Sequence, residues 1–162
     1  MQTPDPPSSA RADLDAWRGL VARDPFDGDT FFRHLLQRHL GDRFETLEST
    51  LRQVAAETGG DTDRLVRESN RDENLPSLRR HDADGRPTED VVFHPAYHEV
   101  GRRFWRSGVL AVLGEPGNER ACGALVYLLA QHGEAGHVCP VACTAGAIKL
   151  LQKEGTDDQR ER

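Results

Sequence analysis

Cysteine is scarce in this 162-residue chain, and the three that occur, Cys122, Cys139 and Cys143, are an odd number with no Cys-x-x-Cys interval. That excludes a disulfide framework and makes a reduced compartment the expected home. Long apolar runs are missing as well. The longest, Ala124 to Ala130 with Tyr127 inside it, falls far short of the roughly 20 residues that a spanning helix needs. The first thirty residues hold neither a basic n-region nor an apolar h-region, so the expectation is a soluble, cytoplasmic protein with no membrane partner. Positive charge is not in excess. Twenty-one Lys and Arg against 27 Asp and Glu give a net charge of -6, which repels phosphate backbones and anionic surfaces. Nucleic acid is therefore not an expected partner, and the arginine groups at 79–80 and 102–106 read as a solvated or subunit-facing surface. No Gly-x-Gly-x-x-Gly, Walker-type or Gly-x-Ser-x-Gly motif occurs, so phosphate-cradling loops and nucleophile elbows are excluded as sequence signals.

What is present is periodic. A hydrophobic share of 36% with 15 glycines suits one domain with a modest core. Residues 1–10, with three prolines and two serines, read as a disordered tail ending at a Ser8 or Ser9 cap, and residues 11–162 as the folded domain. Leu14, Trp17, Leu20 and Val21 form a first helical stripe, stopped by Asp24-Pro25 and Asp27-Gly28. Phe31, Phe32, Leu35, Leu36 and Leu40 form a second. Phe44, Leu47, Leu51, Val54 and Ala55 form a third that runs to Gly59-Gly60. A weaker stretch over 63–71 has only Leu65 and Val66 to bury. Asp84-Gly85 between extended segments 78–81 and 90–93 predicts a small hairpin, because Asp-Gly supplies tight-turn geometry and Val91-Val92-Phe93 favours strand. A helix should open at His94-Pro95, with Tyr97, Val100, Phe104, Gly108 and Val112 on one side. Another follows over 118–132, with Ala121, Leu125, Leu128 and Leu129 inward. Pro140 suits the first turn of the next helix, which continues through Val141, Thr144, Ala145, Ile148 and Leu151 to Gly155. The fold class is mainly α, with about six helices and one small β-hairpin.

Two local features carry chemistry or its shadow. His132, His137, Cys139 and Cys143 crowd one stretch, but their intervals match no common zinc pattern, and no metal is expected. His94 and His98 lack the intervening glutamate of a His-Glu-x-x-His site and read as a turn residue and a helix-surface residue. Thr156-Asp157-Asp158-Gln159 has the form of a capping box and announces a helix start. It reads as the lead into more chain, making this the front portion of something longer. Composition and spacing name no reaction.

The stretch from Leu75-Pro76-Ser77-Leu78-Arg79-Arg80-His81 through Asp90-Val91-Val92-Phe93-His94-Pro95 resembles the N-terminal region of the acyl-CoA dehydrogenase superfamily, in the branch associated with the adaptive response to alkylation damage. Glu134-Ala135-Gly136-His137-Val138-Cys139-Pro140-Val141-Ala142-Cys143-Thr144 is similar to that branch's Glu-Ala-Gly-x-x-Cys-Pro-x-x-x-Thr signature, and Gly155-Thr156-Asp157-Asp158-Gln159 to a later segment. The resemblance covers about residues 28–162. It implies an N-terminal acyl-CoA dehydrogenase-like helical domain, truncated before the β and C-terminal domains. In the complete family enzyme FAD lies between those two domains, a C-terminal glutamate removes the α proton of the acyl-CoA, and hydride passes to the flavin.

What the resemblance implies for this chain is the front part of such an oxidoreductase, walling the acyl pocket and packing the oligomer. On this reading it has no catalytic residue and binds no FAD alone. Cys139, Pro140, Val141 and Thr144 match the segment that approaches the acyl or flavin region and are the candidate substrate-binding residues. Position 143 is Cys where the branch often has Met. The expected partners are the missing β and C-terminal domains, or a second chain carrying them, with a homo-oligomer and acyl-CoA only in the complete enzyme. The alternative is a non-enzymatic helical binding or oligomerisation module derived from the family.

Overall fold

The structure is a computed structural model that describes residues 9–21 and 24–161. Of the expected tail at 1–10, residues 1–8 lie outside the described residues, as do the side chains of Leu20 and Val21, and Ala10 already belongs to the first helix. The order is α1 (Ala10–Val21), α2 (Thr30–Leu40), α3 (Arg43–Glu57), α4 (Asp63–Ser69), β1 (Ser77–His81), β2 (Pro87–Val92), α5 (Pro95–Arg106), α6 (Glu119–Leu129), α7 (Ala135–Glu154) and α8 (Asp157–Glu161). It is a mainly α fold with one small hairpin, as the periodicities require. Among the described residues no helix is long and apolar enough to cross a membrane.

Helix starts follow local hydrogen-bond chemistry. Ser9 Oγ accepts from the Ala12 N–H at 3.2 Å and starts α1. Asp29 Oδ1 accepts from Phe32 N–H at 2.8 Å, while its Oδ2 accepts from the Tyr127 hydroxyl at 2.8 Å, so one carboxylate caps α2 and ties it to α6. Capping satisfies amides that have no partner within the helix. The capping box at the end of the chain forms: Gln159 Oε1 accepts from Thr156 N–H at 3.0 Å and starts α8.

The core is the meeting of α3, α5 and α6, with Leu51, Val100, Phe104, Leu125 and Leu128 all buried. The expected inward residues of α3 and α6 are where their stripes put them. Fully burying one such side chain contributes about 1.5–3 kcal/mol. Three expectations change. The α1 stripe is exposed at Leu14 and Trp17, because no described neighbour offers a face against it. Phe31 is 70% exposed. Consecutive helical residues diverge by about 100°, so Phe32 and Leu36 take the inward side and Phe31 cannot. Helix α5 ends at Arg106 rather than at Gly114, since Ser107 Oγ donates back to the Phe104 carbonyl at 2.6 Å and Gly108 turns the chain at φ +72°.

Phe26 is a core residue that no stripe announced. It sits in the Asp24–Gly28 turn at 0% exposure. Asp24 Oδ1 accepts from the Phe26 and Asp27 amides at 2.8 and 3.0 Å and shapes the loop that points the ring inward. The ring lies near Phe32 and Phe44, with the Arg33 and Arg52 guanidinium groups 5.3 and 5.2 Å from its centroid.

The hairpin pairs Ser77 with Val92, Leu78 with Val91 and Arg79 with Asp90, with an irregularity before His81 pairs Pro87. Its loop spans 82–86, longer than a two-residue turn. Asp82 Oδ1 accepts from both the Asp84 and Arg86 amides at 2.9 Å, and Gly85 takes φ +80°. Leu78 and Val91 are half or more exposed, so the ribbon stands away from the core.

Candidate functional site

The candidate segment lies on α7, and its anchoring explains where each side chain goes. Gly133 turns the chain out of the preceding helical turn at φ +76°. Glu134, itself buried, then caps α7: its two carboxylate oxygens accept from the Gly136 and His137 amides at 2.6 and 2.7 Å. Helix α7 therefore begins at Ala135, and Pro140 sits in its second turn rather than its first. Proline has no amide hydrogen, so the Gly136 carbonyl loses its partner four residues on.

His137 is buried and locks α7 to α5. Its Nε2 lies 3.0 Å from the Tyr97 carbonyl, and its ring stacks on Tyr97 with centroids 4.2 Å apart. The ring rests on the backbone of α5 at Gly101, where a Cβ would come within 2.6 Å of His137 Cε1. Gly136 is under the same constraint, since a Cβ there would meet Glu134 and the Tyr97 ring. Phe93, just after β2, also stacks on Tyr97 with centroids 4.4 Å apart, which makes a run of rings from the end of the hairpin to α7. Burial, together with the Glu134 carboxylate, raises the Tyr97 phenol above its ordinary value.

His132 is held differently. Its Nδ1 accepts from the Glu134 amide at 3.2 Å, so in the neutral ring the proton sits on Nε2, which is buried with no protein partner. Burial lowers the tendency of this histidine to take up a proton. His94 Nδ1 caps α5 by accepting from Ala96, and His98 is exposed at the edge of Phe93 and Tyr97. Among the described residues no group of three His, Cys, Asp or Glu is placed to hold a metal ion. Cys122 is buried in the core, and burial pushes its thiol up.

The four candidate residues divide. Cys139, Pro140 and Thr144 are exposed, with Cys143 beside them, while Val141 is buried among core side chains. Thus Glu134 and His137, in the first half of the signature, face the protein's own core, while Gly136 is exposed beside them. The second half presents thiols, a proline ring and one hydroxyl outward. Farther along, Leu150 is 62% exposed and Leu151 41% exposed. The arginine group on α5 shares a single carboxylate. Glu99 accepts from Arg102 and Arg103, which hold its carboxyl below the ordinary range, and lies 3.6 Å from Arg106.

A family model described as the adaptive response protein AidB N-terminal domain matches residues 18–160. The chain belongs to this family. The AidB protein of Escherichia coli (strain K12), whose name marks it as a candidate acyl-CoA dehydrogenase, is 36% identical over 83 residues. That match covers 48% of this chain and 15% of the E. coli protein. No solved structure matches the chain.

Proposed function

We propose that this AidB-type domain is the N-terminal part of a flavin-dependent acyl-CoA dehydrogenase-like oxidoreductase, where it walls the acyl pocket and packs the oligomer. Catalysis is completed by β and C-terminal domains on the same polypeptide or on a second chain. The observation that carries this reading is α7. It has 20 residues, no charged residue before Lys149, and only His137 and Val141 buried. A helix apolar on all sides belongs in the interior of a larger assembly.

The outward face fits one part of the implied ligands and not another. Cys139, Pro140, Cys143 and Thr144 offer an apolar, weakly polar wall suited to an acyl chain or the edge of a flat ring. They offer no cation and no free amide cluster for a diphosphate, so recognition of the FAD phosphates falls to the β and C-terminal domains. On this reading Cys139, Pro140 and Thr144 touch the neighbouring group, and Val141 holds the helix down beneath them. Catalytic groups come from the other domains.

Thiol accessibility tests the proposal. In the chain alone, Cys139 and Cys143 should react rapidly with a thiol reagent, and Cys122 slowly. Co-expression with a polypeptide carrying the family's β and C-terminal domains should give a yellow complex in which both outer cysteines are protected. Thr144→Trp should lower its flavin content without changing the melting temperature of the isolated chain. A yellow complex with both thiols still fully reactive would refute the placement. Protection in a colourless complex would favour the non-enzymatic binding module.

A further inference from the structure

Cys139 and Cys143 lie four residues apart inside one helix, α7. Both are free and exposed. Residues at i and i+4 stand one above the other on a helix, with Cβ atoms about 5–6 Å apart. That separation decides what the pair can do. A disulfide brings its Cβ atoms to about 3.5–4.5 Å, so direct S–S closure would distort the helix. A metal–thiolate bond is about 2.3 Å long, and two of them in line span about 4.6 Å between sulfurs. Side chains rooted about 5–6 Å apart reach that span without moving the backbone. The backbone here is already fixed, because Glu134 caps α7 through the Gly136 and His137 amides and His137 holds the first turn against α5. The two thiols are therefore set before any ion arrives, which lowers the ordering cost of binding.

The number and type of ligands select the ion. Among the described residues no group of three His, Cys, Asp or Glu is placed to hold a metal, so zinc, which takes four ligands in a structural site, is left unsatisfied. No carboxylate lies on α7 before Lys149, so hard dications find no anionic oxygen. Soft thiolates alone favour a soft ion. We propose that Cys139 and Cys143 form a two-coordinate thiolate site for one soft monovalent cation of the Cu(I) class. Binding forms two S–Cu bonds and releases the two thiol protons to solvent, and no electron is transferred. Cys122 takes no part, because it is buried in the core. The site departs from the expectation of no metal, which rested on zinc intervals. It goes beyond the proposed function, since it uses no flavin and rests on the spacing of two thiols along α7, not on what lies over them.

The test is a competition titration of the fully reduced chain with Cu(I), supplied as its bicinchoninate complex without oxygen, and with Zn(II) as the control ion. The wild type should withdraw one Cu(I) per chain with no change in sedimentation. Cys139→Ser and Cys143→Ser should each weaken binding by roughly a hundredfold or more, the gain that joining two ligands on one scaffold supplies. Cys143→Ser combined with Thr144→Cys keeps two thiols but turns one of them by about 100° around the helix, and should bind no better than the single variants. All three positions are exposed, so the variants should keep the wild-type melt. Bound Cu(I) should protect Cys139 and Cys143 from iodoacetamide and leave the slow alkylation of Cys122 unchanged. Equal affinity of the wild type and the single variants overturns the proposal. So does a displaced pair that binds as tightly as the original, a Cu(I)-bridged dimer, or Zn(II) held as tightly as Cu(I).

Discussion

Gly101→Ala should destabilise the wild type and stabilise a His137→Ala variant. In the wild type the new Cβ would lie 2.6 Å from His137 Cε1 and 3.2 Å from Nδ1 and Nε2. The ring has little room to retreat, because it is stacked on Tyr97 and lies near Phe104 with centroids 5.6 Å apart. Overpacking of this kind costs about 1–3 kcal/mol. Moving the ring also strains the Nε2 contact to the Tyr97 carbonyl, worth roughly 1 kcal/mol. Against these, Ala in place of Gly within a helix gains about 0.8–1 kcal/mol. The net expectation is a loss of about 1–3 kcal/mol. With the ring removed by His137→Ala, the clash disappears and only the helical gain remains, so the same substitution should add about 1 kcal/mol. Urea denaturation of the four proteins of this cycle measures the coupling. If Gly101→Ala costs the same in both backgrounds, close approach of the His137 ring is not why position 101 is glycine.

Other substitutions address other links. Glu134→Ala removes the cap of α7, with its two short bonds to Gly136 and His137, and should cost about 1–2 kcal/mol. Calorimetry should show a melting temperature lower by roughly 2–4 °C per kcal/mol. Phe26→Ala empties a wholly buried site and should cost about 3–5 kcal/mol, visible as a lower denaturation midpoint; a loss under about 1 kcal/mol would mean that the turn does not carry a core residue. For His132, burial favours the neutral ring, so the unfolded chain takes up the proton first. Its contribution to stability is full above the ordinary value of 6.5 and declines as pH falls through the lowered folded value. His132→Phe should flatten stability against pH in that acidic window, and an unchanged slope would rule out this histidine as its source.

Much of the fold could be read because many residues have one obvious place. Phe44, Leu51, Val54 and Ala55 repeat at helical spacing and are buried as a stripe. Asp84-Gly85 and Thr156-Asp157-Asp158-Gln159 carry their geometry in a few adjacent residues. What escaped depends on distance in the chain. Phe26 lies in a segment whose local signals say only turn, and its burial depends on Phe32, Phe44, Arg33 and Arg52, each supplied by another part of the fold. The α1 stripe shows the reverse failure, since amphipathic spacing states a capacity to be buried and not the presence of a neighbour. At the candidate site, the crowding of His132, His137, Cys139 and Cys143 was visible, but not its division into an inward and an outward half. That division follows from the Glu134 cap, which sets the helical phase and so turns His137 toward Gly101 and Cys139 away from it. A glutamate directly after a glycine and three residues before His137 was the available signal for that phase.

The hairpin has a consequence for aggregation. A two-stranded ribbon leaves two open edges, and each could recruit the same edge of another molecule. Aligning β1 antiparallel with a second β1 end to end sets Arg79 against Arg79. The corresponding pairing of β2 sets Glu89 against Asp90. Like charges directly opposite each other are destabilising. Within the molecule the same residues attract, because Arg79 pairs with Asp90 across the ribbon. The strand charges thus favour the hairpin closing on itself and oppose its growth, edge to edge, into a longer sheet.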